Sequence, residues 1–138
     1  MGGRNGLPGI SGVHTHMSNT RNTPIEALEH HLPIRIRTYS LRQGSGGAGR
    51  FSGGEGLIRE YEVLAKTSAT VLTERRVGQP YGAQGGSPGS SGRNTILRSD
   101  GTIEKLPSKA RVELNPGDRL RIETPGGGGF GQPEPVQP

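Results

Sequence analysis

Apolar residues alternate with polar ones at a period of two along most of the chain, the pattern of half-buried β-strands. The run from Pro33 to Leu41 alternates and then shifts phase between Ile36 and Tyr39, which predicts a bulge. From Leu57 to Ala65, Tyr61, Val63 and Ala65 share one face, with Glu60 and Glu62 on the other. Ala69 to Thr73 is a short β-branched run. Asn94–Leu97 and Thr102–Leu106 flank Ser99-Asp100-Gly101, and Asp-Gly between two strand-like runs predicts a hairpin. Ala110, Val112 and Leu114 alternate, Asn115-Pro116-Gly117-Asp118 supplies turn chemistry, and Leu120 and Ile122 resume the alternation until Pro125. One helix is predicted, over 23–31, with Thr23 as its cap, Pro24 at the first helical position, Glu26 completing a capping box and Pro33 as the stop. The expected fold is mainly β: an antiparallel sheet or sandwich of about six short strands, with glycine-rich loops and one short helix near residues 23–31. Residues 1–13 are expected to form a flexible glycine-rich start, 14–131 the β domain and 132–138 a proline-rich tail.

Composition changes this picture in one respect. With 25 Gly and 11 Pro in 138 residues, the chain falls in the range of low-complexity sequence, and only its ordered alternation argues for a fold. Three stretches concentrate the glycine: 44–54, 82–92 and 126–129. They serve as turns, or they let backbone N–H groups approach a ligand, yet none matches the phosphate-loop pattern GxxxxGK[ST]. Glycine has no three-residue period, which excludes collagen. Cysteine is absent, so there is no disulfide framework, thiolate nucleophile or cysteine-held metal. No apolar run is long enough to span a membrane, and the start MGGRNGLPG has no signal-peptide core. The net charge of +5 is spread among alternating arginines, and with 3 Tyr, 2 Phe and no Trp there is no stacking surface. That argues against nucleic acid and for solvated strand faces. Apolar residues are few for a one-sided set of strands, so the strand faces are expected to need another surface and the chain to be the tail of a larger protein or an obligate subunit.

Several blocks resemble one family. Thr15 to Glu26 (THMSNTRNTPIE) resembles the THMTNTRNTPxE segment of the hydantoinase B / 5-oxoprolinase family, which includes the N-methylhydantoinase B subunits. The resemblance continues through Leu41–Gly56, Arg59-Glu60, Thr73–Arg76, Pro80–Gly82, Gly85–Gly89, Pro116–Asp118 and Thr124–Gly131, in order and over nearly the whole chain. Ser18 stands where Thr is common and Phe130 where Tyr is common. Family B subunits are several times longer, so the resemblance implies that residues 14–131 are the C-terminal β domain of such a subunit, inactive in isolation. It further implies a cytoplasmic system that hydrolyses a cyclic amide of the 5-oxoproline or hydantoin type. A hydantoinase A-type subunit or domain would handle ATP, and the upstream body of the B subunit would be the second partner. Phosphorylating the carbonyl oxygen makes the lactam a better electrophile for water. The alternatives are a non-catalytic assembly segment of that complex, or part of a related acetone or acetophenone carboxylase subunit.

The candidate chemistry sits before the helix. His14 and His16 are two residues apart and on a strand would share a face, which suits a divalent metal; Glu26, Glu29, His30 or His31 could add a third ligand. The alternative is that these are ordinary polar residues. His16, Asn19, Arg21 and Asn22, with Thr20, offer a general base, N–H donors and a cation for developing negative charge. The same residues would equally serve as a turn and capping network. Arg75 and Arg76 either meet a phosphate or carboxylate or, the preferred reading, form an internal ion pair with Glu60 or Glu62 or are exposed charge. Ser45 lies among glycines but not in GxSxG, so a serine hydrolase is a poor fit.

Overall fold

The computed structural model describes residues 1–14 and 21–133. These carry one helix, α1 (Ile25–His31), and seven strands: β1 (Ile34–Arg42), β2 (Gly56–Val63), β3 (Thr67–Leu72), β4 (Arg93–Leu97), β5 (Ile103–Leu106), β6 (Lys109–Leu114) and β7 (Arg119–Glu123). Five form a sheet in the order β1-β2-β7-β4-β5, and β3 pairs with β6 in a second, two-stranded sheet. Every named pair is antiparallel. The predicted bulge is present, with the β1–β2 register slipping between Ile36 and Thr38. The predicted hairpin joins β4 to β5, with Gly101 at φ 90°. The turn at Asn115–Asp118, with Gly117 at φ 87°, instead carries the chain from one sheet to the other: β6 stays on β3, and β7 enters between β2 and β4.

The helix begins later than its sequence suggests. Pro24, with extended ψ, is itself the cap residue, so Thr23 lies one position too early and no side chain caps the helix. The helix is tied to the sheet by Glu29, whose Oε1 accepts the Ile36 N–H at 2.7 Å. Ile36 borders the bulge, where the ladder loses its regular pairing.

The alternation decides which residues meet between the sheets. Val63, Ile96 and Leu120 of the large sheet are buried against Val71 and Leu114 of the small one, with Ala69, Leu106, Val112 and Ile122 around them. The reverse face of the large sheet is a ladder of charges. Glu60, 4% exposed, accepts from Arg119 at 3.0 Å and Arg121 at 3.1 Å. Arg121 approaches Glu123 at 3.7 Å, Arg42 approaches it at 3.9 Å, and Arg37 lies 2.7 Å from Glu62. The expected pairing of Arg75 or Arg76 with these glutamates is therefore not made. The antiparallel register places Arg121 opposite Glu60 and Arg119 opposite Glu62, so the ladder is satisfied from within the sheet.

Beyond the sheets, the glycine-rich stretches form a second body with almost no side chains in it. Segment 126–131 runs through its middle, and its hydrogen bonds leave in several directions in succession. Gly127 O accepts from Gly47 N and Gly128 O from Gly3 N, both at 2.8 Å, and Gly129 O accepts from Ala83 N at 2.9 Å. In return Gly127 N donates to Gly54 O and Gly129 N to Ser87 O. A flat strand bonds to two sides only; bonding that rotates about the axis belongs to a three-fold extended chain. Residues of the glycine-rich start, 1–13, hydrogen-bond to this body: Gly54 N donates to Met1 O, Gly9 N to Ser52 O and Gly12 N to Glu55 O. The neighbours approach so closely that a methyl group on Gly53 would overlap the Gly127 carbonyl, and one on Gly126 the Ser45 carbonyl.

Two acids lock the joints. Asp118, 1% exposed, accepts from Asn115 N, Ser99 N and Arg98 Nη1 at 2.9 to 3.0 Å, tying the β4–β5 hairpin to the β6–β7 turn. Burial alone would raise its pKa, but these donors outweigh burial and hold it below the ordinary aspartate value. Glu55 is likewise held low, first by the Ser45 hydroxyl and then, against the effect of burial, by the Gly46 and Ser45 N–H groups.

Two outcomes are expected. Gly53→Ala forces backbone apart and should destabilise by about 2 to 4 kcal/mol, whereas Gly78→Ala, in open space, should stay within about 0.5 kcal/mol of the parent; urea unfolding midpoints separate them. Both acids bind protons more weakly folded than unfolded, so their stabilisation is present above the unfolded values of 4.5 and 3.8 and lost as pH falls through the lower folded values. The unfolding temperature should therefore drop steeply on the acid side. Asp118→Asn should lower it at neutral pH and flatten the acid limb; an unchanged limb would contradict this role.

Candidate functional site

The segment that carries the sequence-predicted chemistry is anchored on β1 and β2. Its upstream flank reaches the sheet at Gly12, whose α-carbon faces the side chains of Leu41 and Leu57. His14 follows, exposed, at a shallow cleft of about 260 Å3 shared with Met1, Glu55, Leu57 and Thr124. The downstream flank returns at Asn22, whose Oδ1 accepts from Arg59 Nη1 at 3.3 Å. His16 and Asn19 lie outside the described residues.

Arg59 organises the downstream flank. The β1–β2 register sets it opposite Tyr39, and its guanidinium lies 4.4 Å from the Tyr39 ring centre and 6.0 Å from that of Tyr61. Tyr61 is two residues along the same strand and therefore on the same face. The Arg59 Nε is buried with no hydrogen-bond partner among the described residues. The guanidinium is thus held by ring faces and by Asn22, and among the described residues no carboxylate pairs with it. Sequence reasoning gives Arg59 no role. The signal that finds it is an arginine facing one tyrosine across a bulged hairpin, with a second tyrosine two residues on. Arg21 is exposed beside this arrangement.

Of the residues suggested as metal ligands, His16 lies outside the described residues, and the described ones do not converge as a group of three. Glu29 is committed to the Ile36 N–H, His31 Nδ1 lies 2.8 Å from the Ala27 carbonyl, and His30 and His31 pack edge to face at 5.3 Å. Among the described residues no three His, Asp or Glu side chains converge as a metal site would require. The described donors therefore do not fit a divalent metal. Ser45 is likewise structural: its hydroxyl, in a residue 2% exposed, donates to the Arg42 carbonyl at 2.6 Å, bonds Glu55 at 2.7 Å and accepts from Gly56 N at 2.8 Å.

The glycine body and the bulged sheet belong to a chain whose sequence places it in the hydantoinase B/oxoprolinase class. The model of that family, hydantoinase B/oxoprolinase, matches residues 1–133, and the chain belongs to it. The chain is 40% identical to a 5-oxoprolinase of Dictyostelium discoideum over 90% of its own length and 10% of that protein. It is 43% identical to 5-oxoprolinase 1 of Arabidopsis thaliana over 89% of this chain and 10% of that one. With the B-type subunit of a putative D-/L-hydantoinase from a Pseudomonas species (strain NS671) it shares 38% identity over 99% of this chain and 24% of that one. The chain thus spans between a tenth and a quarter of these relatives. Its fold recurs in acetone carboxylase in the nucleotide-free state (TM-score 0.76, 17% identity, 91% of this chain, 21% of that one). It recurs also in an ATP-dependent caprolactamase from Pseudomonas jessenii (TM-score 0.70, 24% identity, 91% and 25%). No helix among the described residues is long and apolar enough to cross a membrane.

Replacing Arg59 with Met should release Asn22 while leaving the sheet paired. Amide exchange at residues 21–23 should accelerate by about fivefold, as expected for loss of roughly 1 kcal/mol of cation–π and hydrogen-bond restraint. Exchange unchanged in that segment would show that Arg59 does not hold it.

Proposed function

We propose that this chain is the C-terminal part of a hydantoinase B-type subunit that takes part in ATP-dependent hydrolysis of a cyclic amide of the 5-oxoproline or hydantoin type. The observation that carries the reading is the family match over residues 1–133, joined to 5-oxoprolinase relatives at about 40% identity. ATP enters through a hydantoinase A-type partner, and the upstream body of the protein supplies the rest of the active site.

Within that reading the loop acts on the activated ring. Once a phosphoryl group is on the carbonyl oxygen, water adds to the carbonyl carbon, the C–N bond breaks as the ring nitrogen takes up a proton, and a second water hydrolyses the acyl phosphate so formed, releasing phosphate. His16 is suited to take the proton from water, and Arg21 to meet the negative charge that builds on the oxygens. Asn19 and Asn22 supply orienting amides, and Asn22 is already fixed by Arg59. A metal shared by His14 and His16 would need ligands from the upstream body.

A second reading, an assembly segment without chemistry, is favoured by one observation. An apolar cleft of about 370 Å3 opens between the sheets, lined by Leu32, Ile34, Tyr61, Leu114, Leu120 and Ile122, and the buried core beside it is small. The two readings part in the full-length complex. Arg21→Ala should lower kcat/KM for ATP-dependent ring opening by about a hundredfold while the complex still assembles, as judged by gel filtration. Failed assembly favours the second reading, and turnover equal to the parent refutes the catalytic role. Incorporation of labelled bicarbonate into product would instead assign the complex to the carboxylase branch.

A further inference from the structure

A second group of cations lies away from this loop. Between the start of β4 and the end of β5 is a cleft of about 390 Å3, lined by Arg76, Arg93, Lys105, Asn94, Thr95 and Leu106, with no acidic side chain in its wall. Elsewhere on the described sheet, Arg37, Arg119 and Arg121 are met by glutamates. Here Arg93 and Lys105 are exposed and form no ion pair among the described residues.

Arg76 is oriented by neutral acceptors alone. Its Nε and Nη2 donate to Asn94 Oδ1 at 3.1 and 2.9 Å, and its Nη1 donates to the Glu74 carbonyl at 2.6 Å. Asn94 is itself fixed, being 2% exposed and donating through Nδ2 to Thr73 Oγ1 at 2.8 Å and to the Pro107 carbonyl at 3.2 Å. These bonds aim the guanidinium without cancelling its charge. Burial and the nearby Arg42 cation weaken its hold on its proton, but a guanidinium remains charged at neutral pH. The space it occupies is kept free by Gly92, where a Cβ would fall 2.5 Å from Nη1 and 2.7 Å from Cζ. Gly92 N donates to the Arg75 carbonyl at 2.8 Å, and Arg75 holds the left-handed φ of 57°. The turn that presents Arg76 is thus strapped in place with a conformation that non-glycine residues adopt at a cost.

We propose that this cleft is an oxyanion site for a phosphate group, with Arg76 as its fixed donor and Arg93 and Lys105 as its mobile ones. A single carboxylate would leave two of the three charges unmet, whereas a phosphate dianion offers more charge and several acceptor oxygens in one ligand. The source of the phosphate, free inorganic phosphate or the phosphoryl group of an activated substrate, rests on the function proposed above; binding of phosphate does not.

The test titrates inorganic phosphate into the full chain at constant ionic strength, by calorimetry and by thermal unfolding, with acetate and chloride as controls. Saturable binding is expected for phosphate only, weakened about tenfold or more in the Arg93→Gln, Lys105→Gln double variant, whose unfolding temperature without phosphate should match the parent. Gly92→Ala should weaken binding through displacement of Arg76. Binding no better than chloride, equal binding of acetate, or equal affinity in the double variant overturns the site. A non-hydrolysable acyl phosphonate that displaces phosphate identifies the activated substrate as the source, and failure to displace identifies free phosphate; both uphold the site. Phosphate binding absent while the full-length complex still opens its ring overturns this site and leaves the proposed function standing.

Discussion

The fold depends on backbone packed against backbone. At Gly53 and Gly126 a carbonyl of another segment stands where a side chain would begin. Segments this close can exchange peptide hydrogen bonds on several sides, and segment 126–131 does so with residues 1–3, 45–54 and 81–90. The interior of this body is therefore hydrogen-bonded peptide, with little hydrocarbon to bury. That reconciles a chain with 25 glycines and few apolar residues with an ordered structure. Each bond contributes little net free energy, but a buried peptide group left unpaired is costly, so the set is stable only as a whole.

This constraint explains why the elements are legible to different degrees. The bulge near Ile36, the Ser99-Asp100-Gly101 hairpin and the alternation of Ala110, Val112 and Leu114 rest on local rules, and the structure follows them. The helix is present but its cap is not Thr23, because Pro24 takes that position and an ordering bond comes instead from Glu29 to the distant Ile36. The glycine stretches read as turns because a single sequence has no marker for which segments will lie side by side. The partners of Gly127 are Gly47 and Gly54, more than seventy residues away. For the same reason the sequence suggests the wrong arginines for Glu60: only the β2–β7 register, closed across the chain, puts Arg119 and Arg121 on it.

At the candidate site, the resemblance locates the polar loop, but the residues that hold it are not legible. Arg59 looks like any strand arginine until the bulged register brings Tyr39 over it. Arg76 looks like a partner for a glutamate, and its actual acceptor, Asn94, is a neutral residue on a strand that follows it by a glycine-rich stretch. In both cases a cation is held by groups that do not neutralise it. Charge-balanced arginines on the ladder have their electrostatic demand met inside the sheet, while Arg59 and Arg76 keep theirs available.

The candidate segment has a described flank on each body of the molecule. Its upstream end leaves the glycine body at Gly12, where Gly12 N donates to Glu55 O and Ser11 Oγ accepts from Glu55 N, and Glu55 is in turn fixed by Ser45 and Gly46. Its downstream end rests on Arg59 in the sheet. The two described flanks therefore rest on different parts of the fold, the upstream one on the glycine body and the downstream one on β2. Peptide hydrogen bonds to Glu55 at one end and a π-held cation at the other are two differently built anchors, one set by the glycine packing and the other by the register of β1 on β2.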